Sequence, residues 1–213
     1  MYVPSQFRED RPAVLAQAVR DIQLAMLVTA GPDGVQISHV PMLLKEEPAG
    51  WTLDSHVARP NPHWKLAGST NETVAIFRGP HAYISPSWYA SKREHGRVVP
   101  TWTYVAVHAH GTLEAVDDGT WLATHIDALT RTNEAGREHS WAVADAPPDY
   151  IAGLKRGIVG LRLHVTRVEG AWKMNQHRSE SDRLSTIAGL EAEPGDGAVA
   201  QVMLLLETAR GGP

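Results

Sequence analysis

The ten residues from Ser55 to Trp64, SHVARPNPHW, hold a serine, two histidines, an arginine and an asparagine around two prolines. Arginine presents N–H donors in a planar fork that matches the oxygens of a phosphate or carboxylate. Proline fixes φ and reduces the conformational freedom that a loop loses when it is ordered. The segment therefore has two readings, a rigid surface turn or a preformed cradle for an anionic ligand. On residue types and spacing alone the two stand level.

Other chemistries leave weaker traces. Among eleven histidines, His108 and His110 lie two apart in a strand-like run and share a face. A mononuclear zinc site would need a third ligand from elsewhere, so no metal is expected and two locally bonded sheet histidines are the plainer reading. The absence of cysteine removes disulfides, thiolate metal sites and cysteine nucleophiles. The string GDGAVA meets the loose dinucleotide pattern at Gly195, Gly197 and Ala200. It follows the helix-like LEAEP instead of a strand, so it reads as a chance match. There is no P-loop, no His-Glu-x-x-His helix and no Gly-x-Ser-x-Gly elbow to place a serine. No residue is marked as an obligatory acid or base; His56 and His108 are the nearest candidates.

The composition narrows the class. A net charge of −4 gives no general attraction to nucleic acid or acidic membranes, since neutralising phosphates needs surplus Lys and Arg. No DNA-reading helix pair is legible, because the candidate pairs are rich in Asp and Glu or interrupted by proline. The start, MYVPSQFRED, lacks the basic and apolar regions of a signal peptide. No run reaches the roughly 18 apolar residues of a membrane span. Lack of cysteine fits a reducing cytoplasm. With 213 residues, 43% of them hydrophobic, the chain can bury a core, and one domain over residues 1–213 is expected. Seven Trp and five Tyr stand against two Phe. Trp joins a flat apolar face to one donor, which suits planar ligands and interfaces, although core packing is the default for any single one.

The elements that must position these residues follow from periodicity and turn chemistry. DRPAVLAQAVRDIQ, with Asp10 as a candidate cap and Pro12 in the first turn, predicts a helix over about 11–23. LAMLVTA, the turn GPDG and VQISHVPMLL predict a hairpin, and after the turn KEEPAG the run WTLDSH predicts another strand. Pro62 opens a helical turn. TVAIFRG and HAYISPSWY read as two strands around a Gly79–Pro80 turn, and KREHGR as a charged loop. VVPTWTYVAVHAHGTLEAV is a long strand with Val105, Val107 and Ala109 on one face and Ala106, His108 and His110 on the other. IVGLRLHVTRVEGAWKMN is a further strand, broken at Gly170. Helices are expected at about 117–135 and 147–157, with a helical C-terminal region over about 179–209. Strand groups with helices between and after them point to a mainly β fold, a barrel with peripheral helices.

Three strings stand at strand ends: SHVARPNPHW, then RGPHAYISPSWYASK leading into GRVVPTWTYVAVHAHG, then WKMNQHRSESDRLSTIAGL. In these, and from MYVPSQF to about Leu190, the sequence resembles the PaiB-like FMN-binding negative transcriptional regulators of the FMN-binding split-barrel superfamily. That superfamily also holds pyridoxamine phosphate oxidase and flavin reductases. The chain departs from the family pattern at Thr103, Asn175, His177, Ser185 and Thr186. The resemblance implies an FMN-binding split β-barrel and a homodimer with the flavin at the subunit interface. It implies that Arg59, Asn61, Lys65 and the backbone of Val57 and Ala58 meet the phosphate. Ser55 and His56 would bond the ring edge, and Thr101, Trp102 and Thr103 would line the ring. Lys173 and Gln176 would meet the pyrimidine edge, where a cation stabilises charge near N1. The expected role is indirect negative control of transcription through flavin or metabolite state. A flavin-dependent oxidoreductase acting on a small molecule is the alternative, and a barrel that has lost its cofactor a third.

Overall fold

The computed structural model describes residues 1–68 and 72–209. Its strands are β1 (Arg8–Glu9), β2 (Leu24–Gly31), β3 (Gly34–Pro41), β4 (Leu43–Glu47), β5 (Gly50–Ala58), β6 (Thr73–Ile84), β7 (Thr101–Val116) and β8 (Ile158–Lys173). The helices are α1 (Pro12–Ile22), α2 (Lys92–His95), α3 (Gly119–Glu134), α4 (Pro148–Arg156), α5 (Glu180–Ala192) and α6 (Gly197–Ala209). The strands are hydrogen-bonded in the order β3-β2-β6-β7-β8-β5-β4, and β1 pairs with β8.

Two tight turns shape the first part of the sheet. Gly31 faces Gly34 across Pro32–Asp33, and Glu47 faces Gly50 across Pro48–Ala49. Gly34 and Gly50 have φ of +113° and +126°, where a Cβ would clash with the backbone. Between these hairpins the chain does something the sequence did not announce. VQISHVPMLL is not one strand: β3 ends at Pro41 and β4 begins at Leu43, with Met42 alone between them. β3 pairs with β2, whereas β4 pairs with β5. Strands one residue apart thus lie at opposite ends of the hydrogen-bonded path. The sheet must curl to bring those ends together, and among the described residues the seam between β3 and β5 has no ladder. Met42 pins the crossing, its side chain buried and its N–H on the Gln23 carbonyl at 2.9 Å.

By packing, the chain divides into two compact units. One comprises Met1–Ala18, Arg78–Val107 and the chain from Glu169 onward; the other comprises Val19–Phe77 and His108–Val168. The second unit buries Leu27, Leu53, Phe77, Leu113, Leu161 and Leu163 among others, each contributing roughly 1.5–3 kcal/mol of apolar burial. The first buries Phe7, Leu15, Ile84, Tyr89, Trp172 and Leu190.

Three further expectations need correction. Gly79–Pro80 is not a turn, because β6 runs through it from Thr73 to Ile84. Proline's fixed φ is compatible with extended backbone, and β2 pairs only with Thr73–Ile76, so Pro80 takes no donor from that ladder. Gly170 does not break β8. It pairs with Glu9 of β1, and a Cβ there would lie 2.3 Å from the Leu15 side chain and 2.7 Å from the Glu9 carbonyl. The glycine therefore marks a close approach of chain to chain. KREHGR is not only loop: Lys92–His95 form the one-turn α2, closed by Gly96 at φ +66°.

Helix ends obey local chemistry. The Asp118 carboxylate accepts the Trp121 N–H at 2.6 Å to start α3, and Ser179 caps α5 on the Asp182 N–H at 3.3 Å. The carboxylate that takes the Arg11 N–H ahead of α1 is that of Glu9, at 2.9 Å. GDGAVA follows α5 and opens α6, with no strand before it. No helix among the described residues is long and apolar enough to cross a membrane.

Candidate functional site

In the second unit, the seam between β3 and β5 opens into a cleft of about 540 Å³, lined by Ile37–Pro41, His56–Ala58, Asn61 and Ile158. That volume lies in the roughly 300–1,000 Å³ range of small-molecule sites. Its walls combine apolar Ile37, Val40, Val57 and Ile158 with the polar groups of Ser38, His39, His56 and Asn61. Of the predicted site residues, the structure brings His56, Val57, Ala58 and Asn61 to this cleft. The β3 contribution was missed. A signal existed, for Ser-His-Val occurs twice, at Ser38–Val40 and at Ser55–Val57, once on each wall.

The SHVARPNPHW segment uses most of its donors on itself and its neighbours. The Ser55 hydroxyl, fully buried, donates to the Pro41 carbonyl at 2.7 Å and ties β5 to β3. The Arg59 N–H bonds the Gly157 carbonyl and the Asn61 N–H the Ala58 carbonyl, both at 2.8 Å. Asn61 caps the 3-10 turn Pro62–Leu66 by accepting the His63 N–H at 3.0 Å, and its amide donates to Ser38 Oγ at 3.0 Å. His63 is wholly buried, with Nδ1 2.9 Å from Ser38 Oγ and Nε2 2.9 Å from Thr29 Oγ1. Burial pushes its pKa below the usual histidine range. Trp64 donates its indole N–H to the Arg59 carbonyl at 3.0 Å. Lys65 lies exposed, its ammonium 5.8 Å from the Trp64 ring centre.

The Arg59 guanidinium does not line the β3–β5 cleft. It borders a neighbouring cleft of about 390 Å³ with Asp117, Gly119, Leu122, Ala152, Lys155 and Arg156. There it donates to both Asp117 oxygens and to the carbonyls of Arg156 and Ile158. Its fork holds the Asp117 carboxyl below the ordinary carboxylate range.

Behind the β3–β5 cleft lies a second layer that the sequence reading did not pick out. His56 Nδ1 is 3.1 Å from His125 Nε2 on α3. The His125 ring stacks on Trp121, centres 5.1 Å apart and planes 13° apart. Arg162 sits over the other ring system of this stack, 5.6 Å from the Trp121 centre, and grips buried Asp54 at 2.7 and 2.9 Å. Lys45 reaches the same carboxylate at 2.7 Å. Burial alone would raise the Asp54 pKa, but the two cations outweigh it and hold the group ionised. Burial, with some repulsion from His56, pushes His125 down to about 4, and burial lowers His56 as well.

The remaining predicted residues lie in the first unit. Lys173 Nζ donates to Thr101 Oγ1 at 3.0 Å and lies 5.8 Å from the Tyr104 ring centre. Trp102 is exposed and meets Tyr83 edge-on, centres 5.9 Å apart. Thr103 is fully buried and donates to the Ala82 carbonyl at 3.3 Å. Gln176 uses its amide locally, accepting from the Met174 N–H at 2.7 Å and donating to the Trp172 carbonyl. Thr101 and Lys173 are thus joined, whereas the hydroxyl of Thr103 and the amide of Gln176 are turned to structural bonds. The two β7 histidines, His108 and His110, belong to the second unit, where His110 lies against Glu72 and Arg167 of that same unit.

Comparison with known proteins gives these features a lineage. The family model described as "Putative FMN-binding domain" matches residues 1–167. An uncharacterized protein of Aspergillus fumigatus is 31% identical over 237 residues, covering 90% of this chain and 91% of that protein. The protease synthase and sporulation protein PAI 2 of Bacillus subtilis is 28% identical over 205 residues, covering 96% of each. Among solved structures, the flavocytochrome Anf3 of Azotobacter vinelandii superposes with a TM-score of 0.59 at 11% identity, over 84% of this chain and 75% of that one. At that identity the likeness is one of fold, and the fold is the split barrel, mainly antiparallel sheet with peripheral helices. With a family model spanning residues 1–167 and a relative 31% identical across nine tenths of its length, the chain belongs to the putative FMN-binding domain family and is homologous to the Bacillus PAI 2 protein.

Proposed function

We propose that the chain binds FMN in the β3–β5 cleft as a homodimer and acts as a regulator of the PaiB-like class, indirectly, through flavin or metabolite state. The observation that carries this reading is the cleft itself, apolar on its walls and polar at Ser38, His39, His56 and Asn61, in a chain of an FMN-binding family. That donor set suits a flat ring with a polar rim. His125 Nδ1, buried without a partner among the described residues, supports the reading, because polar groups behind the cleft are not all spent on bonds within the fold. Ser38 and Asn61 would hold the ligand's polar edge, and Val57 and Ile158 would exclude water from the ring. Arg59 would meet the phosphate by exchanging Asp117 for it. Bound flavin would supply two-electron or one-electron redox chemistry; the chain's own groups would bind and orient it.

A second copy of the chain is the partner proposed for the outer face of β3. This strand ends the hydrogen-bonded path, and Val35 and Ile37 on it are 64% and 53% exposed. Exposed apolar residues on an edge strand call for cover. Ile37 also lines the cleft, so a partner seated on β3 would wall the ligand in. Thr101, Trp102 and Lys173 are proposed as flavin contacts on the family likeness alone. With a net charge of −4, direct reading of DNA is not part of the proposal.

A flavin-dependent oxidoreductase is the second reading, favoured by a histidine, His56, kept neutral beside the cleft. The deciding experiment is an absorption spectrum of the purified protein, before and after FMN is added and excess removed. A flavin spectrum that disappears in Asn61→Ala or Ser38→Ala supports the cleft, and a colourless protein that takes up no FMN overturns the reading. NADH or NADPH oxidation by the loaded protein would decide for the enzyme. Light scattering on a sizing column reads the dimer, and a monomer with FMN bound would remove the interface from the proposal.

A further inference from the structure

The register of the sheet explains how α3 reaches the cleft. On β5 and β8, His56 stands opposite Gly160. A Cβ on Gly160 would lie 2.3 Å from the Trp121 ring and 2.9 Å from the Val116 carbonyl. The missing side chain makes the socket into which α3 inserts Trp121. Four residues on, one helical turn away and on the same face, His125 stacks on that indole and meets His56. Glycine, indole and two imidazoles thus form one positioned column behind the cleft.

One proton must be shared in the bond between the rings. Both rings are held neutral, burial being the main cause in each, so one nitrogen of the pair donates and the other accepts. If His56 Nδ1 donated, His125 would carry its own proton on Nδ1. That atom is buried and has no partner among the described residues, and an orphaned buried N–H is rarer than an orphaned acceptor. If His125 Nε2 donates instead, the orphan is only a lone pair. The carboxylate that acts on His125, Asp54, is already held by Lys45 and Arg162, so it draws no proton from either ring.

We infer that His125 is a positioning residue that fixes His56 as its Nε2–H tautomer, so that His56 meets the occupant of the β3–β5 cleft as a hydrogen-bond donor. The ligand atom it selects is an acceptor, a ring nitrogen or carbonyl oxygen of a flat heteroaromatic edge. This rests on the reading that the cleft takes FMN, but the tautomer is a property of the protein alone.

The test uses long-range ¹H–¹⁵N correlation on histidine-labelled full-length protein at neutral pH, first without flavin. Both His56 and His125 should show the Nε2–H pattern; an Nδ1–H pattern for His56 overturns the inference. His125→Phe keeps a flat ring against Trp121 and removes the donor. In it, His56 should populate both tautomers and FMN affinity should fall about fivefold, the effect of one neutral hydrogen bond. His125→Gln restores a donor at a similar reach and should return His56 to the Nε2–H form. An unchanged His56 pattern with unchanged FMN affinity in His125→Phe overturns the inference. Should that variant not fold, the Gln variant decides, and an Nδ1–H pattern in it has the same meaning. A wild-type protein that takes up no FMN overturns the proposed function alone, while the tautomer still decides this inference.

Discussion

Arg59 grips both oxygens of Asp117, at 2.7 and 3.1 Å, and with the same guanidinium holds the carbonyls of Arg156 and Ile158, each at 3.0 Å. The residue that the sequence marks as an anion fork therefore already holds an anion, one supplied by the end of β7. A carboxylate and a phosphate present the same two-oxygen edge to the fork, so a phosphate bound at this fork, as proposed, would have to displace Asp117. The carbonyl contacts can persist during that exchange and keep the fork aimed. Asp117→Asn removes the competing charge and one acceptor, and is expected to tighten FMN binding about fivefold. Arg59→Lys, which cannot hold two oxygens and two carbonyls in one plane, should weaken it by more. Flavin-fluorescence titration reads both. Weaker binding in Asp117→Asn would make Arg59 a purely structural clamp between β5, β7 and the turn before β8.

The buried imidazoles predict an acid-sensitive fold. His125 is neutral in the folded protein down to about pH 4, whereas an unfolded histidine takes up its proton near pH 6.5. Between those values the unfolded chain binds more protons, so stability rises with pH across that window. Above about pH 6.5 this contribution is complete and flat, and on acidification it is lost progressively down to about pH 4. Its full size is up to about 3 kcal/mol. Urea midpoints measured between pH 4 and 7.5 should show that slope, and His125→Phe should flatten it. An equal slope in the variant would move its origin to other groups.

A close approach between β7 and β8 gives a stability prediction. A Cβ at Gly111 would stand 1.9 Å from the His164 carbonyl oxygen and 2.8 Å from its carbon. Both are backbone atoms, so nothing can rotate away, and the strands themselves must part. Gly111→Ala is expected to lower stability by about 3 kcal/mol or more, the upper range for overpacking. A melting curve on the soluble fraction checks it, and a melting point within a degree or two of wild type would mean that the two strands separate freely there.

How much of this the sequence disclosed depends on the range of the interaction. Local chemistry was legible in part: the turns GPDG and KEEPAG do reverse the chain at Gly34 and Gly50, and alternation places Val105, Val107 and Ala109 inside, whereas the cap expected at Asp10 is supplied by Glu9. Where one residue type serves two ends, pattern reading failed. Gly170 and the Gly79–Pro80 pair look like breaks, but a glycine at a close strand crossing and a proline in extended backbone carry the same letters. The partner exchange at Met42 leaves no local mark, because β3 and β4 are distinguished only by the strands they pair with. The site divides in the same way. His56 and Asn61 were marked by composition, whereas His125 is an ordinary helix residue until Gly160 and Trp121 bring it to β5. Asp117, the occupant of the Arg59 fork, is remote in sequence, and no spacing rule links 59 to 117.

The polar wall of the cleft is held from behind by a chain of five buried or half-buried groups, and its dismantling yields a final prediction. Thr73 Oγ1 lies 2.7 Å from Thr29 Oγ1, which meets His63 Nε2, whose Nδ1 meets Ser38 Oγ, which accepts the Asn61 amide. Every step but the last links side chains that the solvent does not reach. Removing the imidazole leaves the Thr29 and Ser38 hydroxyls short of a partner, at about 1–3 kcal/mol for each group left unsatisfied. His63→Phe, close in volume, should therefore lower unfolding stability by about 2–4 kcal/mol. It should also release Ser38 and Asn61, so that FMN affinity falls by more than the stability loss can explain at temperatures where the variant is folded. Ser38→Ala separates the two effects. It removes one hydroxyl and one acceptor but leaves the imidazole able to hold Thr29, so its stability loss should be smaller and its loss of affinity comparable. Denaturant curves beside flavin titrations on both variants give the comparison. Equal affinity in wild type and Ser38→Ala would show that the cleft meets its ligand through His56 and the apolar wall, with the hydroxyl relay serving the fold alone.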